Sequence, residues 1–382
     1  MTYLENIVYL DNSSTTFVCG RAVEEMSTAL GIDFGNPSSL HILGFNAEKR
    51  IETARQKIAD MIGATAKEIY FTSGGTEGNN TAVFGAVYAR KKRGNKIVTT
   101  AVEHPSILEP VNRLREEGFE VVEVKPQSDG TISEKSIFDA VDEKTILVSI
   151  MLVNNETGAV FPVSTAREAI KKSGAPAILH CDAVQAFGKM PINVNKLGAD
   201  IITASAHKIH GPKGVGFIYV KKGITIKPLL LGGGQENGFR SGTQPVPAIS
   251  GFYGALCDLG DINENLKKVK EIRDFTAENL KNIEGIFINS PDNELPYVLN
   301  FSLVGYRSET LLHFLESKGI YVSSGSACAR GKGSYVLSAQ GLSRDRIDSA
   351  LRISFSRYNT LDDAKRLIEA LKEAKGSLRK AK

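Results

Sequence analysis

The sequence has no tryptophan, five methionines and only four cysteines in 382 residues. The four thiols, Cys19, Cys181, Cys257 and Cys328, are too widely spaced for a disulfide framework or a paired zinc motif, so a hydrophobic core must carry the fold. No apolar run approaches the roughly 20 residues of a membrane span. The opening Met1-Thr2-Tyr3-Leu4-Glu5-Asn6 lacks the basic-then-apolar order of a signal peptide, and together these features predict a soluble, cytoplasmic chain with no membrane partner. Excess charge is small as well: 47 Lys and Arg against 43 Asp and Glu leave +4, too little to make nucleic acid a direct partner. Internal repeats and low-complexity stretches are absent, and the basic tail from Lys372 onward reads as a frayed helix end.

What the sequence does have is length and alternation. A chain of 382 residues exceeds one ordinary core, so two domains are expected. Helices are predicted over 21–30 and 47–62. Strands at 68–71, 96–100, 120–124, 145–153, 177–181 and 200–204 then alternate with helices at 77–90, 107–117, 134–141 and 163–172, and 214–220 adds one more strand. This is the pattern of an α/β protein with a mostly parallel sheet covered on both faces. Past Leu231-Gly232-Gly233-Gly234 the pattern changes to one long helix over about 248–280, followed by strands at 285–289 and 297–303 of a smaller α+β domain. The border is expected near residue 260, giving a large domain over 16–259 and a small one made of 1–15 and 260–382.

Four strand ends carry the chemistry. Strand 200–204 leads through Ser205, Ala206 and His207 to Lys208, and strand 177–181 leads to Asp182, with Gln185 one helical step further on. Strand 96–100 leads to Glu103-His104-Pro105, and strand 145–153 to Asn154-Asn155-Glu156. Parallel strands put all four ends on one edge of the sheet, where open α/β folds bind ligands. A Schiff-base lysine paired with an acid able to hold a pyridinium nitrogen is what pyridoxal phosphate requires of a protein. By itself each residue has a plainer reading: Lys208 as a solvated lysine, His104 as a satisfied loop histidine, Asn154-Asn155 as turn chemistry.

Phe71-Thr72-Ser73-Gly74-Gly75-Thr76-Glu77 joins a strand to a helix, so free backbone N–H groups and the positive helix end face one small space that suits a phosphate; a tight turn capped by Thr76 is the alternative. Cys328 sits in a stretch of small residues, Ser323-Ser324-Gly325-Ser326-Ala327-Cys328, followed by Arg330 and Lys332, which would favour its thiolate; an ordinary surface thiol is the plainer reading. The other three cysteines flank or lie in apolar segments and are expected to pack. Arg352, inside the predicted strand Ala350-Leu351-Arg352-Ile353-Ser354, needs an anionic partner, either a substrate carboxylate or an internal Asp or Glu.

Taken together these stretches resemble the cysteine desulfurases of the NifS/IscS type, members of the class V aminotransferase group. The resemblance runs from Leu10-Asp11-Asn12 to the helix after Tyr358, most specifically at Thr72 to Glu77, Glu103-His104, Asn154-Asn155-Glu156, Asp182-Ala183-Val184-Gln185, Ser205 to Gly214, Gly232 to Thr243 and Ser323 to Cys328. It implies the fold type I architecture of pyridoxal phosphate enzymes, with a seven-stranded, mostly parallel sheet and a smaller α+β domain. It also implies that Lys208 forms the Schiff base, Asp182 pairs with the pyridine nitrogen, Gln185 bonds the ring hydroxyl, and His104 stacks on the ring and shuttles protons. Gly75, Thr76, Ser205 and His207 would hold the phosphate, with Thr243 reaching in from the second subunit of a homodimer; Asn155 and Arg352 would bind the carboxylate of L-cysteine.

The implied reaction turns L-cysteine into L-alanine and leaves a persulfide on Cys328. That sulfur would pass to an iron-sulfur scaffold, a tRNA-thiolating enzyme or another sulfur carrier. No permanent metal site is implied, Cys328 serving at most as a transient ligand of an iron-sulfur cluster. Five residues separate Cys328 from Ser334, fewer than in the iron-sulfur assembly members, so the resemblance does not assign the acceptor. A selenocysteine lyase, an aminotransferase with no use for Cys328, and a non-catalytic scaffold of the same fold are the alternatives.

Overall fold

The computed structural model describes residues 7–324 and 333–380. Strand β1 (Val8–Tyr9) is followed by seven strands that form one sheet: β2 (Ile69–Thr72), β3 (Lys96–Thr100), β4 (Glu120–Val124), β5 (Thr145–Met151), β6 (Ile178–Asp182), β7 (Ile201–Ser205) and β8 (Gly216–Val220). Their order is β2-β8-β7-β6-β5-β3-β4, with every pair parallel except those made by β8. The reversal has a simple cause. Parallel neighbours need a crossover of about a dozen residues or more, usually a helix, whereas β7 and β8 are joined by only 206–215, which folds straight back. That return carries Lys208.

Strands β5, β6, β7 and β8 are buried along their whole length, as apolar runs with helices on both faces should be. The helix Gly75–Arg90 lies on the face bearing Thr203, and Gly78 lets it approach: a Cβ there would sit 3.1 Å from Thr203 Cγ2.

Beyond the sheet come β9 (Ile286–Ile288), β10 (Val298–Leu303), β11 (Ile320–Tyr321) and β12 (Ala350–Ser354). They make a three-stranded antiparallel sheet, β12-β10-β9, while β11 pairs in parallel with β1. The N-terminal segment is thereby stitched to the C-terminal region: buried Asn12 donates from Nδ2 to Ser354 O at 2.8 Å, and Ser354 N donates to Leu10 O at 2.7 Å.

Two helices differ from expectation. The long helix over 248–280 is two helices, Val246–Asp258 and Ile262–Lys281. Gly260 takes a left-handed φ of +65°, and the Asp261 side chain accepts from the N–H groups of Asn263 and Glu264, so a stop and a new N-cap interrupt an unbroken apolar period. The helix expected over 47–62 begins at Ile42, where the ring of His41 accepts from Gly44 N. Among the described residues no helix is long and apolar enough to cross a membrane.

Candidate active site

The carboxyl ends of β3, β5, β6 and β7 open onto one cavity of about 330 Å³. Asp182 closes β6 in register between Met151 of β5 and Thr203 of β7. Its Oδ1 accepts from Val184 N at 2.9 Å and its Oδ2 from Asn79 Nδ2 at 2.7 Å. Burial pushes its pKa up, while the Val184 N–H and the nearby charges of His104 and Lys208 oppose that rise. Lys208 ends the short turn after β7, and its Nζ donates to the carbonyls of Ser13 at 2.6 Å and Ser14 at 2.8 Å. Asp182 and Lys208 line the same cavity.

His104 is the N-cap of the helix Pro105–Glu116, its Nδ1 accepting from Ser106 N at 3.1 Å. Burial lowers its pKa, and Lys208 adds to the lowering against the pull of Asp182. His207 is likewise driven down, to about 4, by burial and then by Lys208, and its Nδ1 lies 3.1 Å from Thr15 Oγ1. Gly75 and Thr76 form the first turn of the helix Gly75–Arg90 beside Ser205. The approach is close: a Cβ on Gly75 would lie 2.8 Å from Val184 Cγ2, and Gly74 has φ +150°. Small residues here leave the helix's free N–H groups facing the cavity.

Gln185 is held from both sides, Nε2 donating to Ser13 O and Oε1 accepting from Lys189 Nζ, each at 3.0 Å. Of the two partners considered for Arg352, the internal acid is present: Nη2 donates to Asp11 Oδ1 at 2.8 Å and Ser14 Oγ at 2.6 Å, and Nη1 to Asn155 O at 3.0 Å. Three buried polar atoms of cavity-lining residues, Arg352 Nε, Asn155 Oδ1 and Ser13 Oγ, have no partner among the described residues. Orphaned donors and acceptors in a cavity this size fit a polar ligand such as pyridoxal phosphate with a small amino acid.

Eleven of the sequence-derived residues are described. Ten of them, Gly75, Thr76, His104, Asn155, Asp182, Gln185, Ser205, His207, Lys208 and Arg352, line this cavity. Thr243 is exposed and does not line it. Cys328 lies outside the described residues, but Ser323 before it and Gly333 after it both line the cavity. Of the other thiols, Cys19 and Cys181 are buried and Cys257 is half-buried.

Three further residues belong to the site. Lys189, four residues beyond Gln185, is buried, and burial with the charges of Lys208 and Arg352 lowers its pKa to about 7. Buried Glu156 is raised to about 7 by burial and accepts from Ser334 Oγ, the described residue that follows Gly333. Asn79, one turn into its helix, binds Asp182. Glu156 lies within the Asn154-Asn155-Glu156 motif but carries no role in the sequence reading, and Lys189 and Asn79 have only helical spacing from Gln185 and Gly75 as a signal.

A sequence model of the family described as aminotransferase class-V matches residues 8–367. The chain belongs to the class V aminotransferases. Within that family it is 40% identical over 377 residues to cysteine desulfurase IscS of Methanosarcina thermophila, covering 97% of this chain and 93% of that protein. Among solved structures, a NifS-like protein superposes with a TM-score of 0.92 at 38% identity, covering 97% of this chain and all (100%) of that one. A structure titled SspA in complex with cysteine superposes at 0.82 with 32% identity, covering 92% of this chain and 99% of that one. The seven-stranded, mostly parallel sheet expected from the resemblance is thus the class V, fold type I architecture.

Proposed function

We propose that this class V protein is a pyridoxal phosphate-dependent cysteine desulfurase that takes L-cysteine to L-alanine and leaves the sulfur on Cys328. The observation that carries the reading is the single cavity that gathers Lys208, Asp182 and His104 while both flanks of the Cys328 segment open into it. In this reading Lys208 would hold the cofactor's aldehyde carbon, Asp182 its pyridine nitrogen, Gln185 its ring hydroxyl and His104 the face of its ring. Gly75, Thr76, Ser205 and His207 would hold the phosphate, with Thr243 of a second copy. The large lobe, 16–259, would carry the cofactor, and the small lobe, 1–15 with 260–382, would carry the sulfur acceptor thiol.

When bound, the cofactor supplies a protonated, electron-withdrawing ring that acidifies the substrate Cα–H and weakens the bond from Cβ to sulfur. Asn155 and the unpartnered Nε of Arg352 would orient the substrate carboxylate. Lys208 would supply the amine that moves protons at the substrate Cα. Thiolate Cys328 attacks the substrate sulfur; the S–S bond forms as the C–S bond breaks, and the electron pair and a proton end on Cβ of alanine. Sulfur would then pass to an iron-sulfur scaffold, a tRNA-thiolating enzyme or another carrier, with the reducing cytoplasm as the setting that keeps the thiol free.

The test is alanine release from L-cysteine by the cofactor-loaded protein. Lys208→Ala is expected to abolish both the visible absorption of the bound cofactor and alanine release. Cys328→Ser is expected to abolish release while the absorption stays; full alanine release by Cys328→Ser would overturn the reading.

A further inference from the structure

A row of buried polar side chains crosses the sheet beneath the cavity. Ser149 of β5, His180 of β6 and Thr203 of β7 meet Asn79 of the overlying helix, and all four are almost wholly buried. The distances form one unbroken chain. Ser149 Oγ lies 2.9 Å from His180 Nδ1, and His180 Nε2 lies 3.1 Å from Thr203 Oγ1. Thr203 Oγ1 reaches Asn79 Oδ1 at 2.5 Å, and Asn79 Nδ2 reaches both Asp182 Oδ2 at 2.7 Å and Ser106 Oγ at 2.8 Å. Ser106 Oγ then lies 2.8 Å from His104 Nδ1.

With Asp182 as a carboxylate, this chain admits one assignment of its protons. A carboxylate only accepts, so the amide nitrogen of Asn79 faces Asp182, and its second hydrogen goes to Ser106 Oγ. The amide oxygen therefore faces Thr203, whose single hydroxyl proton is used on it. Thr203 must then receive from His180 Nε2–H, and His180, kept neutral by burial that lowers its pKa to about 3, accepts from Ser149 on Nδ1. On the other branch Ser106 Oγ accepts from Asn79, and its own proton is free for His104 Nδ1, 2.8 Å away. The Ser106 backbone N–H points at the same nitrogen at 3.1 Å, and a backbone N–H has no other tautomer. Two donors, the backbone N–H and the hydroxyl of Ser106, thus oppose a proton on His104 Nδ1.

We propose that Asn79 is a positioning residue of this site: its one carboxamide holds Asp182 as a carboxylate and, through Ser106, keeps His104 neutral with its proton on Nε2, so that the imidazole meets its ligand as a hydrogen-bond donor. This rests on the cofactor reading for its chemical use but not for the proton positions. The charged and titratable groups around His104 are Asp182 at the end of β6, Lys208 after β7, and Glu103 before it in sequence, whose carboxyl accepts at Oε1 from Thr100 Oγ1 and Met151 N, has no partner for Oε2 among the described residues, and is raised to about 8 by burial. Tyr335 approaches from the far side of the cavity, its hydroxyl donating to Glu103 O at 2.6 Å.

The test is long-range ¹H–¹⁵N spectroscopy of the histidine rings in the full-length protein, with and without bound pyridoxal phosphate and without cysteine. The His104 signal is identified by its loss in His104→Gln. Near neutral pH, His104 and His180 are expected with Nε2 protonated and Nδ1 bare; a proton on His104 Nδ1 at that pH would overturn the proposal whatever the variants do. In Asn79→Leu the freed Ser106 hydroxyl can turn to accept Nδ1–H, leaving only the Ser106 backbone N–H to oppose that proton, so the His104 pKa is expected to rise by about one unit or more. Adding Ser106→Ala removes that acceptor and is expected to reverse the rise. A folded Asn79→Leu protein with an unshifted His104 would contradict the role. Because no turnover is read, failure of the desulfurase reading would leave this result standing.

Discussion

Lys189 has a cost that its neighbours explain. Among the described residues this buried ammonium has no carboxylate partner; its Nζ donates to Gln185 Oε1 and lies 5.8 Å from the Tyr297 ring centre, and its pKa falls to about 7. The unfolded chain takes up this proton near the ordinary value of 10.5, the folded chain only near 7, so between those values stability rises with pH and the full penalty is present below about 7. Lys189→Met is therefore expected to stabilise the cofactor-free protein at pH 7 by about 1–3 kcal/mol, after allowing for the bond lost by Gln185. The gain should fade as pH approaches 10, and thermal unfolding across that range checks it. The same variant should bind pyridoxal phosphate more weakly, because an ammonium that only donates and a carbonyl that only accepts together fix which end of the Gln185 amide faces the cavity.

Arg352 makes a second test at this scale. Three acceptors already hold the guanidinium, and only a planar fork can serve Asp11, Ser14 and the Asn155 carbonyl while leaving Nε for a ligand. Arg352→Lys is expected to raise KM for L-cysteine by about tenfold or more with a smaller effect on kcat. An unchanged KM in steady-state assays would remove Arg352 from substrate binding.

Among elements, the strand ends are legible in the sequence, because apolar runs of strand length lead directly to Asp182, Lys208, His104 and Asn155. The return loop 206–215 could be counted from sequence, yet the reversal of β8 was not read from it, since apolar content is the same for either strand direction. The break at Gly260 was hidden for a related reason: apolar spacing continues through it, and only Gly260 followed by Asp261 marks it. Lys189 and Asn79 were hidden because their roles depend on which face of a turn meets which strand.

The glycine turn before the helix Gly75–Arg90 has its own test. Gly75→Ala puts a methyl 2.8 Å from Val184 Cγ2, and the displacement should weaken pyridoxal phosphate binding by about tenfold. Val184→Ala in the same chain opens that space and is expected to restore much of the affinity in cofactor titrations. If it does not, the loss comes from the backbone of the turn rather than from the clash.

At the scale of the whole molecule, residues 8–16 tie the two ends of the chain to the site. β1 pairs with β11, Asp11 holds Arg352, and the carbonyls of Ser13 and Ser14 accept from Lys208. One feature is left unexplained by a single chain: Thr243 is exposed, while Leu30, Ile32, Phe34, Leu40, Ile42 and Phe45 expose large apolar side chains over a short span. The homodimer proposed above would account for both. Phe34→Glu with Leu40→Glu is expected to shift sedimentation toward the monomer and to weaken cofactor binding; a monomeric wild-type protein with full activity would contradict it.

The identity of the atom that receives sulfur decides the mechanism. The decisive measurement is peptide mass spectrometry of the cofactor-loaded protein after brief exposure to L-cysteine without reductant. An added sulfur on the peptide bearing Cys328, absent in Lys208→Ala and from the peptides of Cys19, Cys181 and Cys257, is the predicted result. Alanine formed in amounts equal to the enzyme with Cys328 unmodified would contradict it.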